Sequence, residues 1–340
     1  MALRFVDSFD HYATADIVKK WSTVSSSPTI SAGNGRRSTA SLRIATGVVQ
    51  YVGLNLTAQP TWILGFALRM GTVNSFNSQI MQWFDNASAQ VELWMLTTGA
   101  LSIVRAGSAT LGTVTSPLLT AGTYNYIEWA VTIHPSAGTS ELRINGTSVL
   151  SLTGVNTRAT ANSSANILRF GYPTGSGSIY TWDYDDVYIC DGTGSAPHNT
   201  FLGDCRVDTL FPTSDGTSQQ WTPSTAGTHY TLVDETAPNT TDYVASNTVG
   251  HRDTYGMQDL SAMTGTIYGV QLNLAALKND AGARSVKPLL LSGASEALGA
   301  ATALSTSQTY TLHMQTTDPA TGVAWTESGV NAAQCGAEVA

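Results

Sequence analysis

The sequence has little charge of either sign and almost no lysine. Charged residues make up 12% of the 340 positions, about half of the quarter that is usual in soluble proteins. Lysine occurs only at Lys19, Lys20, Lys278 and Lys287, and the formal net charge is −8. A surface without a cluster of basic residues has no extended site to which phosphate groups could bind. We therefore expect neither nucleic acid nor an anionic membrane surface as a partner.

Long apolar runs are also missing. No stretch approaches the roughly 18 uninterrupted apolar residues that a transmembrane helix requires, so we expect no membrane insertion. The opening residues, MALRFVDSFDHY, lack a basic region followed by an apolar core, which predicts that no secretory signal is present. The polar surface must be built from Ser, Thr, Asn, Gln and Gly.

Cysteine is scarce as well. Cys190, Cys205 and Cys335 are an odd number and include no CxxC pair, a pattern that does not supply a structural zinc site. Cys190 and Cys205 flank the junction between two strand runs and could form a disulfide. Buried free thiols in a reducing cytosol are the alternative, and we favour it.

What the sequence does contain is a series of short strand patterns. Trp62–Met70 is almost continuously apolar, and Tyr124–His134 and Tyr180–Cys190 are rich in aromatic and β-branched residues. Asn145-Gly146 between two alternating runs predicts a β-hairpin. In Tyr124–His134 the aromatic residues cannot all share one face, so a bulge and a strand buried on both faces remain as alternatives. The pattern predicts two antiparallel sheets packed face to face.

The stretch from Ile179 to Leu210 marks a change between two regions. Its first part alternates like a final strand, and Asp191–Gly194 ends that strand because glycine accepts backbone angles that other residues resist. We therefore predict three parts. They are a β-sandwich at residues 1–194, a partly ordered connector at 195–262 and a smaller C-terminal β domain at 263–340.

Several separated stretches carry a resemblance to known families. Residues 119–154, LTAGTYNYIEWAVTIHPSAGTSELRINGTSVLSLTG, resemble the central region of the concanavalin A-like, laminin-G-like jelly roll, and DYDDVYICDGTG resembles its last strand. More narrowly, FDHY, DDVYICDGTG and FLGDCRVDTLFPTSDGTSQQWTPS resemble structural proteins of tailed-bacteriophage particles. This second resemblance runs from about residue 3 to residue 255.

The resemblance implies a fold and a role. The fold would be an antiparallel jelly-roll β-sandwich, followed by the connector and a second, smaller sandwich. The role would be that of a non-enzymatic, surface-exposed virion protein, as a head decoration, a fibre or a tail-associated component. Such a protein would act as a homo-oligomer, for example a trimer, bind other capsid or tail proteins, and contact host-surface glycans. It would be made in the bacterial cytoplasm and reside in the virion.

The acidic residues Asp183, Asp185 and Asp186 are the candidate site. Alternation along a strand places Asp183 and Asp185 on one side, where two carboxylates could hold a Ca²⁺ ion. Glycosidases of this fold use paired carboxylates, and the related glucanases carry a Glu-x-Asp-x-x-Glu strand, which resembles this one except that both glutamates are missing. We therefore expect structural acids first, a Ca²⁺ site second and catalysis last, with no catalytic residue and no other cofactor.

Histidine and tryptophan give weaker indications. None of the histidines has the spacing of a helical ligand pair, and no Gly-x-Ser-x-Gly motif accompanies them, so we expect structural roles. Stacking on sugar rings needs exposed aromatic side chains. We expect most of four tryptophans to lie in the core instead: Trp62, Trp83, Trp94 and Trp129.

Three functions follow from these observations. The first is the virion structural protein. The second is a lectin-like carbohydrate-binding module that uses aromatic stacking and Ca²⁺. The third is a polysaccharide-degrading enzyme, against which the missing glutamate pair already counts.

Overall fold

The structure is a computed structural model that describes residues 3–37, 39–45, 49–71, 77–107, 109–172, 181–260 and 264–340. It is almost entirely β, as predicted. The backbone divides into two compact units, Met1–Asp10 with Trp21–Val207 and His11–Lys20 with Asp208–Ala340. No helix in the described ranges has the length and hydropathy needed to cross a membrane.

The first unit contains two antiparallel sheets. Its strands are β1 (Leu3–Asp7), β2 (Thr23–Ser25), β3 (Thr29–Ala32), β4 (Ala40–Ala45), β5 (Gln50–Gln59), β6 (Thr61–Met70), β7 (Ser78–Asp85), β8 (Ser88–Met95), β9 (Leu101–Arg105), β10 (Ala109–Thr113), β11 (Tyr124–Thr132), β12 (Gly138–Ile144), β13 (Thr147–Val155), β14 (Ala165–Tyr172) and β15 (Thr181–Asp191). Sheet A has the order β13-β12-β11-β6-β15-β4-β3, with β1 paired to β15. Sheet B has the order β10-β9-β8-β7-β14-β5-β2. The predicted jelly-roll sandwich is confirmed.

Local sequence determines the hairpins of this unit. Asn145 and Gly146 connect β12 to β13 with φ angles of 50° and 79°, the left-handed backbone that Asn and Gly adopt most readily. Asn86 connects β7 to β8 with a φ of 52°. The hairpin at Asn145-Gly146 was predicted. The first residue of the predicted final strand, Tyr180, lies outside the described residues.

Aromatic side chains hold the two sheets together. Trp62 of sheet A stacks on Trp83 of sheet B, with ring centroids 4.7 Å apart and planes 13° apart. Phe66 of sheet A meets Phe170 of sheet B edge to face at 5.1 Å. All four rings are fully buried. At about 25 cal/mol per Å² of buried apolar surface, rings of this size contribute several kilocalories per mole each to folding, before the cost of ordering them is subtracted.

The outer face of sheet A, which points away from sheet B, is covered by its own chain. We call residues Phe201–Val207 the strap. Three strap N–H groups donate to side chains of sheet A: Leu202 N to Tyr188 Oη (3.1 Å), Gly203 N to Glu128 Oε1 (2.8 Å) and Val207 N to Asp186 Oδ1 (2.8 Å). The first unit therefore extends to Val207, beyond the predicted boundary at residue 194.

The strap explains why β11 is buried on both sides. Tyr126 is 1% exposed and Trp129 is not exposed at all, although neighbouring positions point to opposite faces. The pairing of β11 with β6 and β12 shows no register shift. Of the two predicted alternatives, the strand buried on both faces is therefore the one observed. The bulge lies in β15 instead, between Asp185 and Tyr188.

The second unit is a smaller set of sheets. Its strands are β16 (Pro212–Gln219), β17 (Thr222–Pro223), β18 (Val244–Ala245), β19 (Arg252–Met257), β20 (Val270–Ala276), β21 (Ser285–Ser292), β22 (Ser295–Leu298), β23 (Thr302–Ala303), β24 (Thr309–Gln315) and β25 (Gln334–Val339). The main sheet has the order β16-β19-β25-β21-β22, with β23 beside β21. Two smaller sheets pair β17 with β18 and β20 with β24. Helices α1 (Ile17–Lys20) and α2 (Glu327–Ala332) and the 3₁₀ turns Thr14–Asp16 and His229–Leu232 complete it.

The predicted connector at 195–262 is divided between the two units. Its strand β19 is an interior strand of the main sheet of the second unit, paired with β16 and β25. Leu210 and Leu260 pack against the core formed by Leu290, Trp325 and Val330. Residues of the predicted connector thus form part of the core of the second unit. The predicted boundary at 262/263 falls on residues outside the described ranges.

The stacked tryptophans make a matched pair for a stability test. The Trp62 indole N–H donates to the Ala165 carbonyl at 3.0 Å, whereas Trp83 Nε1 is buried with no hydrogen-bond partner among the described residues. We expect Trp62→Phe to lower the free energy of unfolding by about 1–3 kcal/mol more than Trp83→Phe, because only the first change breaks a buried hydrogen bond. Urea unfolding of the full chain measures both. Equal losses would contradict this expectation.

Candidate functional site

Asp183, the first predicted site residue, is held by two arginines. It lies directly opposite Arg43 of β4 and Arg69 of β6. Arg43 donates from Nε to Oδ1 (2.7 Å), and Arg69 donates from Nη2 to Oδ2 (2.7 Å). The Asp183 carboxylate is 1% exposed and has both oxygens occupied. A buried carboxylate of this kind is stabilised by its cations and fastens three neighbouring strands.

Asp185 lies on the same outer face, as alternation predicts, but its partners differ. Its carboxylate accepts from the backbone N–H groups of Arg36 (2.6 Å) and Asp186 (2.7 Å). Burial, followed by repulsion from the Asp186 carboxylate, raises the pKa of Asp185 to about 8. The bulge in β15 turns Asp186 towards the strap, where Val207 N and the Arg37 guanidinium (2.9 Å) donate to it.

The Ca²⁺ site at Asp183 and Asp185 stays a prediction. A cation bound there would have to displace the guanidinium groups of Arg43 and Arg69 from Asp183. Within the described ranges, no group of three or more His, Cys, Asp or Glu side chains is arranged to hold a metal ion.

Histidine 229 forms a pair that the sequence did not indicate. Its Nδ1 lies 2.7 Å from Asp253 Oδ2, which also accepts the Tyr255 hydroxyl at 3.0 Å. The other oxygen of Asp253 accepts the Trp221 N–H at 2.9 Å. These contacts fasten the 3₁₀ turn at His229 to β19.

The three cysteines are free thiols in the structure, and burial raises the pKa of Cys205 and of Cys335 to about 12.

The outer face of sheet B, pointing away from sheet A, carries a second set of side chains. We call it the aromatic face and define it by its aromatic and polar members: Tyr51, Gln79, Gln82, Phe84, Glu92, Trp94 and Arg169. The side of sheet B to which these residues point follows from β14. Phe170 contacts Phe66 of sheet A, so the preceding residue, Arg169, points away from sheet A. Gln82 lies opposite Arg169, and Glu92 lies opposite Gln82.

Tryptophan 94 is the exception among the four tryptophans considered in the sequence. Trp62, Trp83 and Trp129 are 0–1% exposed, as expected for core residues, whereas Trp94 is half-buried. Its indole N–H donates to Glu92 Oε2 at 2.7 Å. The hydrogen bond fixes the ring on the aromatic face, where part of it meets solvent.

Arg169 is enclosed by aromatic rings. Its guanidinium carbon lies 4.0 Å from the centre of the Phe84 ring and 4.7 Å from that of Tyr51, which are cation–π distances. Its Nε is buried and has no hydrogen-bond partner among the described residues. The side-chain oxygens of Gln79 and Gln82 are also buried without a hydrogen-bond partner among the described residues. These two glutamines are only 8% and 3% exposed.

This combination suits the binding of a hydroxyl-rich ligand. Buried polar atoms are normally hydrogen-bonded, so unpaired ones that converge on one face call for an explanation. Here two acceptors and one donor lie beside a partly exposed indole. Two signals in the sequence could have identified the face, namely the glutamines within the apolar strand at 78–85 and the Glu92-x-Trp94 spacing in the next strand.

Comparisons with known proteins find only distant structural similarity. No family model and no curated protein sequence matches the chain. The cellulose induced protein Cip1 is a similar solved structure, with a TM-score of 0.45 and 17% identity over 59% of this chain and 99% of that one. A sialidase gives 0.41 and 14% over 56% of this chain but 18% of its own. Alginate lyase Aly36B gives 0.39 and 12% over 55% and 96%. At these values the similarity says nothing about what this chain binds or catalyses.

The raised pKa of Asp185 predicts a specific pH dependence. A carboxyl with a pKa of 3.8 when unfolded and about 8 when folded retains its proton in the folded state over that interval. Its contribution to stability is complete at low pH and is lost as the pH rises towards 8. Asp185→Asn removes this titration, so the wild type should lose stability relative to the variant between about pH 4 and about pH 8.

Urea midpoints of the two proteins across this interval measure the difference. The nearby carboxyls of Asp10 and Asp186, whose pKa values burial also raises, are present in both proteins. Parallel pH profiles of the wild type and Asp185→Asn would contradict the assignment.

Proposed function

We propose that the first unit is a non-catalytic glycan-binding module and that its aromatic face is the binding surface. The observation that carries this proposal is that the Gln82 acceptor and the neighbouring Arg169 donor have no hydrogen-bond partner among the described residues. The two residues are direct neighbours across β7 and β14, which places their Cβ atoms about 5 Å apart.

A sugar hydroxyl has the chemistry that this pair requires. It can accept a hydrogen bond from Arg169 Nε and donate its own hydrogen to Gln82 Oε1. The apolar C–H face of a sugar ring can then pack on the Trp94 indole, which Glu92 holds in place. Aromatic contact combined with a few oriented polar groups is the usual composition of a small-ligand site.

Glu92 supports a binding role rather than hydrolysis. One oxygen accepts from the Gln82 amide and the other from the Trp94 indole. Hydrolysis of a glycosidic bond normally employs two carboxyl groups, about 5 to 10 Å apart, and Glu92 is the one carboxylate in the set that defines the aromatic face. On sheet A, the Asp183 carboxylate is occupied by Arg43 and Arg69.

Binding of the purified chain to a glycan array tests the proposal. We expect Trp94→Ala to weaken binding about tenfold or more, since roughly 1.4 kcal/mol of lost stacking corresponds to a factor of ten. Tyr243→Ala is the matched control because Tyr243 is an exposed aromatic of the second unit, at 46% exposure. It should bind like the wild type.

Two outcomes would overturn this proposal. The first is an array without bound glycans, and the second is release of reducing ends from a bound polysaccharide. The same array also tests the predicted Ca²⁺ site. If the site exists, chelation should abolish glycan binding by the wild type and added Ca²⁺ should restore it. The absence of this response in the Asp183→Asn, Asp185→Asn double variant would assign the ion to these two residues.

For the whole chain we propose a second, broader role as a structural component of a bacteriophage particle. The support is the sequence resemblance, together with the proximity of those parts of its motifs that lie in the first unit. Asp10 from FDHY interacts electrostatically with Asp185 and Asp186 of the closing strand, and Asp186 accepts a hydrogen bond from Val207 of the strap. Parts of all three stretches that carry the resemblance thus lie close together in the first unit.

In this role the chain would be a head decoration, a fibre or a tail-associated protein on the virion surface. It would form a homo-oligomer, for example a trimer, bound to capsid or tail proteins, and would present the aromatic face to host-surface glycans. Light scattering and negative-stain imaging measure the native mass and shape. A stable oligomer is the expected result. A monomer, or the absence of the protein from purified particles, would overturn this role.

A further inference from the structure

We infer that the glycan bound by the aromatic face is anionic and that Arg169 binds its carboxylate or sulfate group. This inference rests on the proposed glycan binding and adds the chemical class of the ligand. It starts from the charge of Arg169, which has no ion pair among the described residues.

Arg169 differs in this respect from comparable arginines of the first unit. Four arginines in the described ranges stack on aromatic rings there: Arg36 on Tyr126, Arg69 on Tyr124, Arg143 on Phe201, and Arg169 on Phe84 and Tyr51. The first three also pair with a carboxylate, from Asp204, Asp183 and Glu141 respectively. Arg169 keeps the aromatic contacts but lacks the anion.

The aromatic rings do not replace that anion. Ring faces attract the flat sides of a guanidinium group, whereas its N–H donors lie in the plane and point outwards. Within the part of the chain that the structure describes, the buried Nε–H of Arg169 has no hydrogen-bond partner. A carboxylate or sulfate oxygen arriving in this plane would complete the same arrangement that Asp183 completes for Arg69.

Glu92 does not neutralise Arg169. The row Glu92, Gln82, Arg169 runs across three adjacent strands, so the two charged residues are about 10 Å apart. The carboxylate of Glu92 is engaged by Gln82 and Trp94. The face therefore has a negative end beside Trp94 and a positive end at Arg169, which would orient an acidic sugar with its anion at Arg169 and its uncharged part over the indole.

The experiment uses one array of neutral, carboxylated and sulfated saccharides of matched length. We expect the bound glycans to be carboxylated or sulfated, and the carboxyl-reduced or desulfated form of the strongest ligand to bind about tenfold or more weakly. Loss on carboxyl reduction identifies a carboxylate, and loss on desulfation identifies a sulfate. Because exposed charge interactions are screened by salt, binding should also weaken with ionic strength.

Variants at Arg169 complete the test. Arg169→Met, which keeps most of the side-chain volume, should reduce binding of the anionic ligand to the level of its neutral form and remove the salt dependence. Arg169→Lys should keep part of both, because the charge remains while the planar donor edge is lost. Arg143→Met is the control, since Arg143 also stacks on a ring but lies on sheet A, and it should bind like the wild type.

The outcomes separate this inference from the proposed function. Binding of neutral glycans by the wild type, lost in Trp94→Ala, would overturn the anionic ligand and leave glycan binding in place. Selective binding of anionic glycans that survives in a folded Arg169→Met variant would overturn the role of Arg169. An array without any bound glycan would overturn both proposals. The wild-type preference does not depend on the stability of any variant.

Discussion

The burial of sheet A on both faces is the constraint on which the arrangement of the first unit depends. One face packs on sheet B through Trp62 and Phe66, and the strap covers much of the other through its bonds to Tyr188, Glu128 and Asp186. On sheet B, residues of the outer side such as Gln82 and Phe84 are also buried, at 3% and 6% exposure, whereas Trp94 is half-buried. The two outer faces carry different side chains. On sheet A, arginines and backbone N–H groups bind Asp183, Asp185 and Asp186, although Glu128 Oε2 is buried without a partner among the described residues. On sheet B, Arg169, Gln79 and Gln82 each have a buried polar atom without such a partner.

The parts of the fold that could be predicted from sequence are those set by local chemistry. Asn145-Gly146 requires a left-handed turn, and the apolar run at Trp62–Met70 requires a buried strand, wherever the partners of that strand lie. The location of β19 is different, because its pairing with β25 joins residues about eighty positions apart and no local pattern contains this register. The region around β19 therefore resembled a connector although β19 is paired with strands on both of its sides.

The same distinction applies to the candidate site. Alternation placed Asp183 and Asp185 on one side, but the arginines that occupy Asp183 come from positions 140 and 114 residues away in the chain. Trp83 and Trp94 have similar surroundings in the sequence. The face on which each lies depends on the pairing of β7 with β8, which contains two register shifts, one between Gln79 and Met81 and one between Trp83 and Phe84. An irregularity of one residue reverses which side chains point to solvent, and periodicity alone does not locate it.

The assignment of His11–Lys20 to the second unit, between two segments of the first, has a consequence for how the chain can be divided. The polypeptide passes from one unit to the other three times, so no single cut yields two complete pieces. Cleavage after Val207 would leave α1 and its hydrogen bonds to Gln308 and Thr309 on the wrong fragment. Recombination at a single point between the units would likewise separate α1 from Gln308 and Thr309.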